Sequence, residues 1–195
     1  MVEQPVVVGL GGSLARASKS LAALKIALGA AAEAGAETEL FDIRSLDLPM
    51  FVPGTTDVPE AVLRLCDATC RASGLIWSSP MYHGTISGAF KNALDWLQLL
   101  SDRDPPYLTH KVVGLISTAG GVQGLQAVNT LEFVVRSLRG WAVPLVIPVS
   151  RAHEVFGVDG SVRDPQVAAQ LRLLGEEVVR AARQFAEEGQ CDYGP

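Results

Sequence analysis

The sequence predicts an α/β fold in which an open parallel sheet carries helices on both of its faces. Short runs rich in β-branched residues alternate with longer amphipathic stretches, a rhythm typical of repeated strand-helix units. A length of 195 residues suits one domain whose core can fold without disulfides or metals. Hydrophobic residues make up 48% and charged residues 19%, a globular balance without low-complexity tracts. We therefore expect a single domain over residues 1–195.

Five strands and five helices are predicted in alternation along the chain. Gly35 ends the first helix, and Asp164-Pro165 begins the last one, because Asp caps free amides and Pro suits a first turn. Five strands with a loop-rich second connection favour the flavodoxin-like strand order 2-1-3-4-5 among doubly wound sheets. The predicted strands span residues 6–10, 38–42, 74–79, 111–117 and 143–149. The predicted helices span residues 18–34, 59–72, 87–100, 125–139 and 164–188.

Charge and cysteine content exclude several classes of protein. The formal net charge is -5 and no stretch clusters Lys and Arg, so the basic surface needed to bind a nucleic-acid backbone is missing. Cys66, Cys70 and Cys191 are too few, and odd in number, for a disulfide framework, which favours a reducing compartment. No apolar run reaches the roughly 18 residues of a membrane span, and no signal-type segment opens the sequence. We expect a cytoplasmic protein that binds neither nucleic acid nor membrane.

The segment after the first predicted strand is suited to hold a phosphate. Ligands of open α/β sheets bind beyond the carboxyl ends of the strands, where the strand order reverses. Gly11 and Gly12 permit a tight turn there, and serine hydroxyls follow beside the free amides and positive end of a helix. An arginine adds a guanidinium that can bind two phosphate oxygens. The candidate phosphate ligands are Ser13, Arg16, Ser18 and Ser20.

Two other interpretations of this loop stay open. It can be a glycine turn with serine caps, a common feature after the first strand of α/β proteins. Asp42, at the end of the second predicted strand, can also stand for the acidic residue of a dinucleotide-binding Rossmann fold. Against this, the loop lacks the G-x-G-x-x-G spacing of that fold, and it lacks the lysine of a Walker A loop.

The segment after the third predicted strand carries the most specific pattern in the chain. Residues 78–97 read SSPMYHGTISGAFKNALDWL. This resembles P-x-Y-x-x-(small)-x-x-G-x-(hydrophobic)-K-N-(small)-L-D-W, a signature of the NADPH-dependent FMN reductase family. The first loop resembles the G-S-x-R-x-x-S phosphate loop of that family, and the glycine-rich segment 117–121 matches its flavin-side loop. His83 departs from the pattern, because members often carry asparagine or another polar residue at that position.

The resemblance implies an FMN-binding enzyme that takes hydride from NADPH or NADH. Its acceptor would be free flavin or another small molecule such as a quinone, an azo dye or a metal oxyanion. No catalytic side chain is required, because the flavin carries the chemistry. No metal is expected, since the three histidines lack neighbouring ligands at useful spacing. Besides the phosphate ligands, the expected flavin contacts are Pro80, Met81, Tyr82, His83 and Gly84 at one ring edge, and Thr118, Gly120 and Gly121 at the other through backbone amides.

Other interpretations compete with this one. The chain could be a non-enzymatic electron carrier like true flavodoxins, although these typically have a Thr-rich phosphate loop and a strongly acidic surface. It could also be a binding module that has lost flavin. Tyr82 could pack on the first helix, and His83 could be an ordinary solvated loop residue. Cys66 and Cys70 share one helix face, which fits two small buried side chains better than a redox pair.

The helix predicted over residues 87–100 suggests a homodimer or homotetramer. It is apolar over most of its circumference, interrupted mainly by Lys91, Asp95 and Gln98, and such a helix is usually buried on both sides. We expect Trp96 to anchor the subunit contact, with Lys91 and Asp95 paired either across a two-fold axis or along one helix. Alternatively, Trp96 packs beneath the long loop 45–58 of its own subunit. That loop, with any partner subunit, is expected to shape the acceptor site.

Overall fold

The computed structural model describes residues 4–185 and shows a three-layer α/β domain. The strands are β1 (Val6–Gly11), β2 (Glu37–Asp42), β3 (Gly74–Tyr82), β4 (Thr85–Ile86), β5 (Val112–Thr118) and β6 (Trp141–Val149). The helices are α1 (Lys19–Glu33), α2 (Ile43–Leu46), α3 (Glu60–Arg71), α4 (Gly88–Trp96), a 3-10 turn (Leu97–Leu100), α5 (Gly124–Ser137), α6 (Ala152–Val155) and α7 (Pro165–Phe185). The predicted end of the last helix at residue 188 lies outside the described residues.

Five strands form a parallel sheet in the order β2-β1-β3-β5-β6. This confirms the predicted order, since β5 and β6 are the fourth and fifth parallel strands along the chain. β1 and β3 lie in the middle of the sheet, and the runs VVVGLG and GLIWSSP are almost entirely buried. Continuous apolar runs of this kind are typical of strands that are covered on both faces.

Two hydrophobic layers cover the sheet. On one face, α1 and α7 pack together against the strands, and on the other face lie α3, α4 and α5. Gly175 allows the closest contact between α1 and α7, because a Cβ at that position would lie 2.1 Å from the carbonyl oxygen of Ala27. Within residues 4–185, no helix is long and apolar enough to span a bilayer.

The structure differs from the sequence prediction at the third strand and the helix after it. β3 continues to Tyr82 and turns back into β4, so an antiparallel hairpin extends the sheet beyond the predicted strand. His83 and Gly84 form the two-residue turn with φ of 50° and 83°, and both central residues of a type I′ turn need positive φ. The helix predicted over residues 87–100 is α-helical only to Trp96 and then tightens into the 3-10 turn.

Candidate functional site

The strand register brings three predicted segments to one edge of the sheet. Gly11, at the end of β1, pairs with Ser78 of β3, and Pro80 of β3 pairs with Thr118 of β5. The loops that follow β1, β3 and β5 therefore leave the sheet side by side. This edge is the carboxyl end of the parallel strands, where open α/β sheets bind their ligands.

Two glycines fix the start of the first loop. A Cβ at Gly11 would lie 2.5 Å from the carbonyl oxygen of Ser78, so only glycine allows β1 to approach β3 this closely. Gly12 has φ of 103°, and its amide donates to the Ser78 carbonyl at 3.1 Å. A left-handed conformation of this kind is costly for residues with a side chain. The glycines therefore anchor the loop to the central strand.

A run of unpaired backbone amides follows at the start of α1. Ser18 caps the helix, since its Oγ accepts from the amide of Leu21 at 3.2 Å. Across the described chain, the five amides from Arg16 to Ser20 donate to no protein acceptor. Such amides at a helix N-terminus are ready donors for a phosphate. Ser13 is buried beside them and Arg16 is exposed, so the loop combines amides, hydroxyls and one guanidinium, which fits a phosphate monoester.

Ser20 has a different position from the other candidate phosphate ligands. Its side chain is 1% exposed, and its Oγ lies 2.6 Å from Oγ1 of Thr118. Ser78 also donates through its Oγ to the carbonyl oxygen of Ser20 at 2.8 Å. The hydroxyl of Ser20 is thus turned into the protein, and only its backbone amide remains open to the phosphate loop. Ser20 and Thr118 join α1 to β5 beneath the candidate site.

The β3–β4 hairpin carries the second group of predicted residues. Pro80 is buried, Met81 is half-buried, and Tyr82 and His83 are exposed at the rim. Because Tyr82 keeps 53% of its surface exposed, it does not pack on α1 as one alternative held. Ser79 holds the hairpin in place: its Oγ donates to the carbonyl of Pro80 at 2.9 Å and accepts from the amide of Ser87 at 3.2 Å.

The third loop leaves open space beside its glycines. A Cβ at Gly120 or Gly121 would meet no atom within 4 Å, and both residues are exposed. Within residues 4–185, the amides of these glycines and of Val122 donate to no protein acceptor. Space and free donors together fit the edge of a planar ring whose oxygens and nitrogens accept hydrogen bonds.

The segment after β6 holds this loop in position, and sequence reasoning missed it. The amides of Arg151 and Ala152 donate to the carbonyls of Gly121 and Ala119, each at 2.9 Å. Ser150 adds a hydrogen bond from its Oγ to the carbonyl of Val122 at 3.1 Å. These contacts are made mostly by the backbone, so no side-chain pattern in the sequence could have indicated them.

Comparison with known proteins identifies the family. The family model described as NADPH-dependent FMN reductase matches residues 5–154. The chain belongs to the NADPH-dependent FMN reductase family. It is 32% identical over 150 residues to the FMN-dependent NADPH-azoreductase of Staphylococcus aureus, a match that covers 73% of this chain and 77% of that protein.

Solved structures show the same flavodoxin-like fold. The flavoenzyme NAD(P)H:(acceptor) oxidoreductase FerB from Paracoccus denitrificans superposes with a TM-score of 0.75 at 24% identity, over 93% of this chain and 98% of that one. The NADH:FMN oxidoreductase EMOB, in its apo form, gives a TM-score of 0.70 at 23% identity, over 91% and 89% of the two chains. A flavodoxin, WrbA-like protein from Agrobacterium tumefaciens gives 0.67 at 18% identity, over 94% and 99%.

The K-N-A-L-D-W pattern that resembles this FMN reductase family anchors the loop after β2. Asn92 accepts from the amide of Phe51 at 2.8 Å and donates to the carbonyl of Pro49 at 2.9 Å. Trp96 donates through Nε1 to the same carbonyl at 2.9 Å and packs edge-on against the ring of Phe51, 5.3 Å between centroids. The two side chains therefore fix the middle of the loop 45–58 to α4.

This arrangement corrects the expected role of Trp96. Its side chain is 2% exposed beneath the loop of its own chain, so it has no surface left to anchor a subunit contact. Of the two expected pairings of Lys91 and Asp95, the described chain shows the ion pair along α4. A helical apolar pattern shows that a face is covered but does not show what covers it.

The remaining polar and thiol groups have structural roles. Asp42 caps α2, accepting from the amide of Arg44 at 3.2 Å and from Oγ of Ser45 at 3.1 Å, which gives its carboxylate a structural role. Burial raises the pKa of the Cys66 thiol to about 12, which keeps it protonated and unreactive. Among the described residues, no group of three His, Cys, Asp or Glu side chains is placed to hold a metal ion.

Proposed function

We propose that this protein oxidises NADPH or NADH and passes the electrons, through FMN, to free flavin or another small acceptor such as a quinone, an azo dye or a metal oxyanion. One observation carries the proposal more than any other. Five successive unpaired amides at the start of α1 lie on the same sheet edge as the open glycines after β5. The first feature fits the phosphate of FMN and the second fits the edge of its ring.

The residues divide into a phosphate end and a ring end. We assign the phosphate to the backbone amides of residues 16–20, the hydroxyls of Ser13 and Ser18, and the guanidinium of Arg16, which together supply charge-assisted hydrogen bonds. Ser20 contributes its amide, while its hydroxyl braces Thr118. The ring end is assigned to the hairpin residues Pro80, Met81, Tyr82, His83 and Gly84 and to the backbone of Thr118, Gly120 and Gly121.

The protein's own contribution to the reaction is position and electrostatics. FMN supplies the redox chemistry when bound, accepting a hydride from the nicotinamide and giving two electrons to the acceptor. The amides of Gly120 and Gly121 are oriented donors that favour negative charge on a bound ring without reorganisation. The hydrogen bonds from residues 149–152 keep these donors fixed. No side chain is needed as a general acid or base.

A non-enzymatic electron carrier is the second candidate function. The modest net charge of -5 and the arginine in the phosphate loop distinguish this chain from strongly acidic carriers. Purified protein mixed with NADPH and FMN should lower the absorbance at 340 nm at a steady rate. An electron carrier would bind FMN without oxidising NADPH at a useful rate, and a scaffold that does not bind flavin would do neither. Either result would contradict the proposed function.

We also propose that the protein acts as a homodimer or homotetramer in the cytoplasm. The contact is assigned to the surface of α4 and α5, which lie on the same face of the sheet. α4 contributes the exposed Lys91 and Asp95 pair. α5 contributes Leu125 and Phe133, which are 52% and 73% exposed and replace Trp96 as apolar anchors. Free, buried thiols at Cys66 and Cys70 suit a reducing compartment.

A further inference from the structure

A pocket lies next to the phosphate loop, between α1 and the turn 157–160 that follows α6. Its volume is about 370 Å³, within the range of small-molecule sites. One wall is the first two turns of α1 together with Arg16 and Ser18, and the other wall is the turn 157–160 that follows α6. The pocket shares residues 16–19 with the phosphate end assigned above, and it extends from there along α1 as far as Lys25 and Ile26.

Three cations line this pocket without a carboxylate partner. Arg16, Lys19 and Lys25 form no ion pair with any residue of the described chain, in a protein whose formal charge is -5. By contrast, Arg172 and Arg180 on the neighbouring α7 are both paired with glutamates. Unpaired cations gathered around one cavity raise the local concentration of anions and favour a phosphorylated ligand.

The other lining residues are complementary to the base and the ribose of a nucleotide. Leu21, Ala22 and Ile26 of α1 face Val158 across the pocket and offer apolar surface to a planar base. Asp159 supplies a carboxylate, and Ser161 holds it by donating through its amide at 3.0 Å and its Oγ at 2.7 Å. These two bonds lower the pKa of Asp159, so it remains an ionised acceptor for ribose hydroxyls.

We propose that this pocket binds the adenosine end of NADPH, with the 2′-phosphate held by Lys19 and Lys25. This inference rests on the proposed function, and it assigns the coenzyme preference to the pocket. The pocket begins at Arg16 and Ser18, which are among the residues assigned to the FMN phosphate. A dinucleotide whose nicotinamide lies at the flavin can therefore extend along the loop, so that its adenosine end reaches this pocket. NADH lacks the 2′-phosphate and therefore gains nothing from the two lysines.

The test uses the variants Lys25→Gln and Lys19→Gln/Lys25→Gln, with Arg180→Gln as a control that removes one cation from α7. We expect kcat/KM for NADPH to fall about tenfold in the single variant, equivalent to about 1.4 kcal/mol, and further in the double variant. The value for NADH should change less than about twofold. The loss for NADPH should also shrink at high salt, because exposed charges are screened.

A binding measurement makes the outcome independent of turnover. Calorimetric titration of the FMN-saturated protein with 2′,5′-ADP should show binding that the double variant loses, whereas 5′-AMP should bind weakly to both. Equal binding of the two nucleotides, or of inorganic phosphate alone as tightly as 2′,5′-ADP, would overturn the proposal. A matching loss of FMN affinity in Lys25→Gln would also overturn it, because the pocket would then belong to the flavin phosphate. Failure of the parent to oxidise either coenzyme would contradict the proposed function, while the titration would still decide this inference.

Discussion

The hydroxyl of Ser20 lies 2.6 Å from the hydroxyl of Thr118, although 98 residues separate them in the sequence. Ser20 is in the first turn of α1, and Thr118 is the last residue of β5. The contact joins the assigned phosphate end of the site to its ring end beneath the surface. The two ends therefore cannot shift relative to one another without breaking a buried hydrogen bond.

Ser20→Ala should destabilise the protein and weaken FMN binding together. The change leaves the buried hydroxyl of Thr118 without this partner, which costs about 1 to 3 kcal/mol and lowers Tm by about 2 to 4 °C for each kcal/mol in a chain of this size. The double variant Ser20→Ala/Thr118→Val should lose less than the sum of the single losses. Additive losses in denaturant titrations would show that the two hydroxyls do not act as a pair. Ser137→Ala, at an exposed hydroxyl of α5, is the matched control.

Arg16→Ala should raise the Kd for FMN about tenfold to a hundredfold, since a hydrogen bond to a charged group contributes about 1.5 to 3 kcal/mol. Fluorescence titration measures this directly, because FMN emission changes on binding. Arg180→Ala removes an arginine that is paired with Glu177, away from the loop, and should leave the Kd unchanged. An Arg16→Ala variant with the parent's affinity would remove the guanidinium from the phosphate site.

Gly120→Val should lower FMN affinity or the rate of flavin reduction without unfolding the protein. A Cβ at this position would meet no protein atom within 4 Å, so we expect the valine side chain to enter the space assigned to the ring and not the core. Stopped-flow reduction and FMN titration measure the two effects. Gly29→Val, at a helical position that is equally free of neighbours, is the control. If Gly120→Val matches the parent in both measurements, the segment is an ordinary turn.

Asn92→Ala should loosen the loop after β2. Asn92 is 6% exposed and bonds to residues 49 and 51, so its removal leaves the amide of Phe51 unpaired. We expect faster hydrogen exchange at Phe51 and a loss of about 1 to 3 kcal/mol in the free energy of unfolding. Gln98→Ala, exposed just beyond the same helix, should alter neither quantity. Unchanged protection at Phe51 would mean that Trp96 alone holds the loop.

Phe133→Asp should convert the oligomer to a monomer in light scattering while leaving the circular dichroism of the helices unchanged. The ring is 73% exposed on α5, so a charge there costs little in the folded subunit but is unfavourable inside a contact. Leu173→Asp, 46% exposed on the opposite face of the sheet, is the control. A parent protein that is already monomeric at micromolar concentration would refute the proposed assembly.

Most of the fold could be predicted because its signals are local. The β-branched run Val6, Val7 and Val8 is followed by glycines and then by a helical pattern, which predicts a strand at the start of a strand-helix unit. The order of strands and helices then restricts the sheet to few topologies. The β3–β4 hairpin was not predicted, because its turn depends on a positive φ at His83, and a histidine in the sequence does not by itself indicate such a turn. A glycine beside it is a weak signal without the strand pairing.

The structure brings the predicted loops to one edge of the sheet, but it does not leave every predicted side chain open to a ligand. The pattern around Ser13, Ser18 and Ser20 correctly placed three hydroxyls near a helix start, but it could not show that Ser20 turns inward to Thr118. The partner of a buried hydroxyl is chosen by the tertiary fold. In the same way, the apolar pattern of α4 gave Trp96 two alternatives, and the carbonyl of Pro49, far away in sequence, decided between them.

The hydrogen bonds from α4 to Pro49 and Phe51 also determine where the chain can accept an insertion. A fourteen-residue connection, from 45 to 58, is divided into a fixed half and a short exposed half around Gly54, where nothing lies within 4 Å of an added Cβ. Doubling the length of a flexible loop costs only about 0.6 kcal/mol in closure entropy. Residues inserted between 53 and 56 should thus be tolerated, and they offer a position at which new contacts can be grafted or a reporter attached while the carboxyl edge of the sheet stays intact.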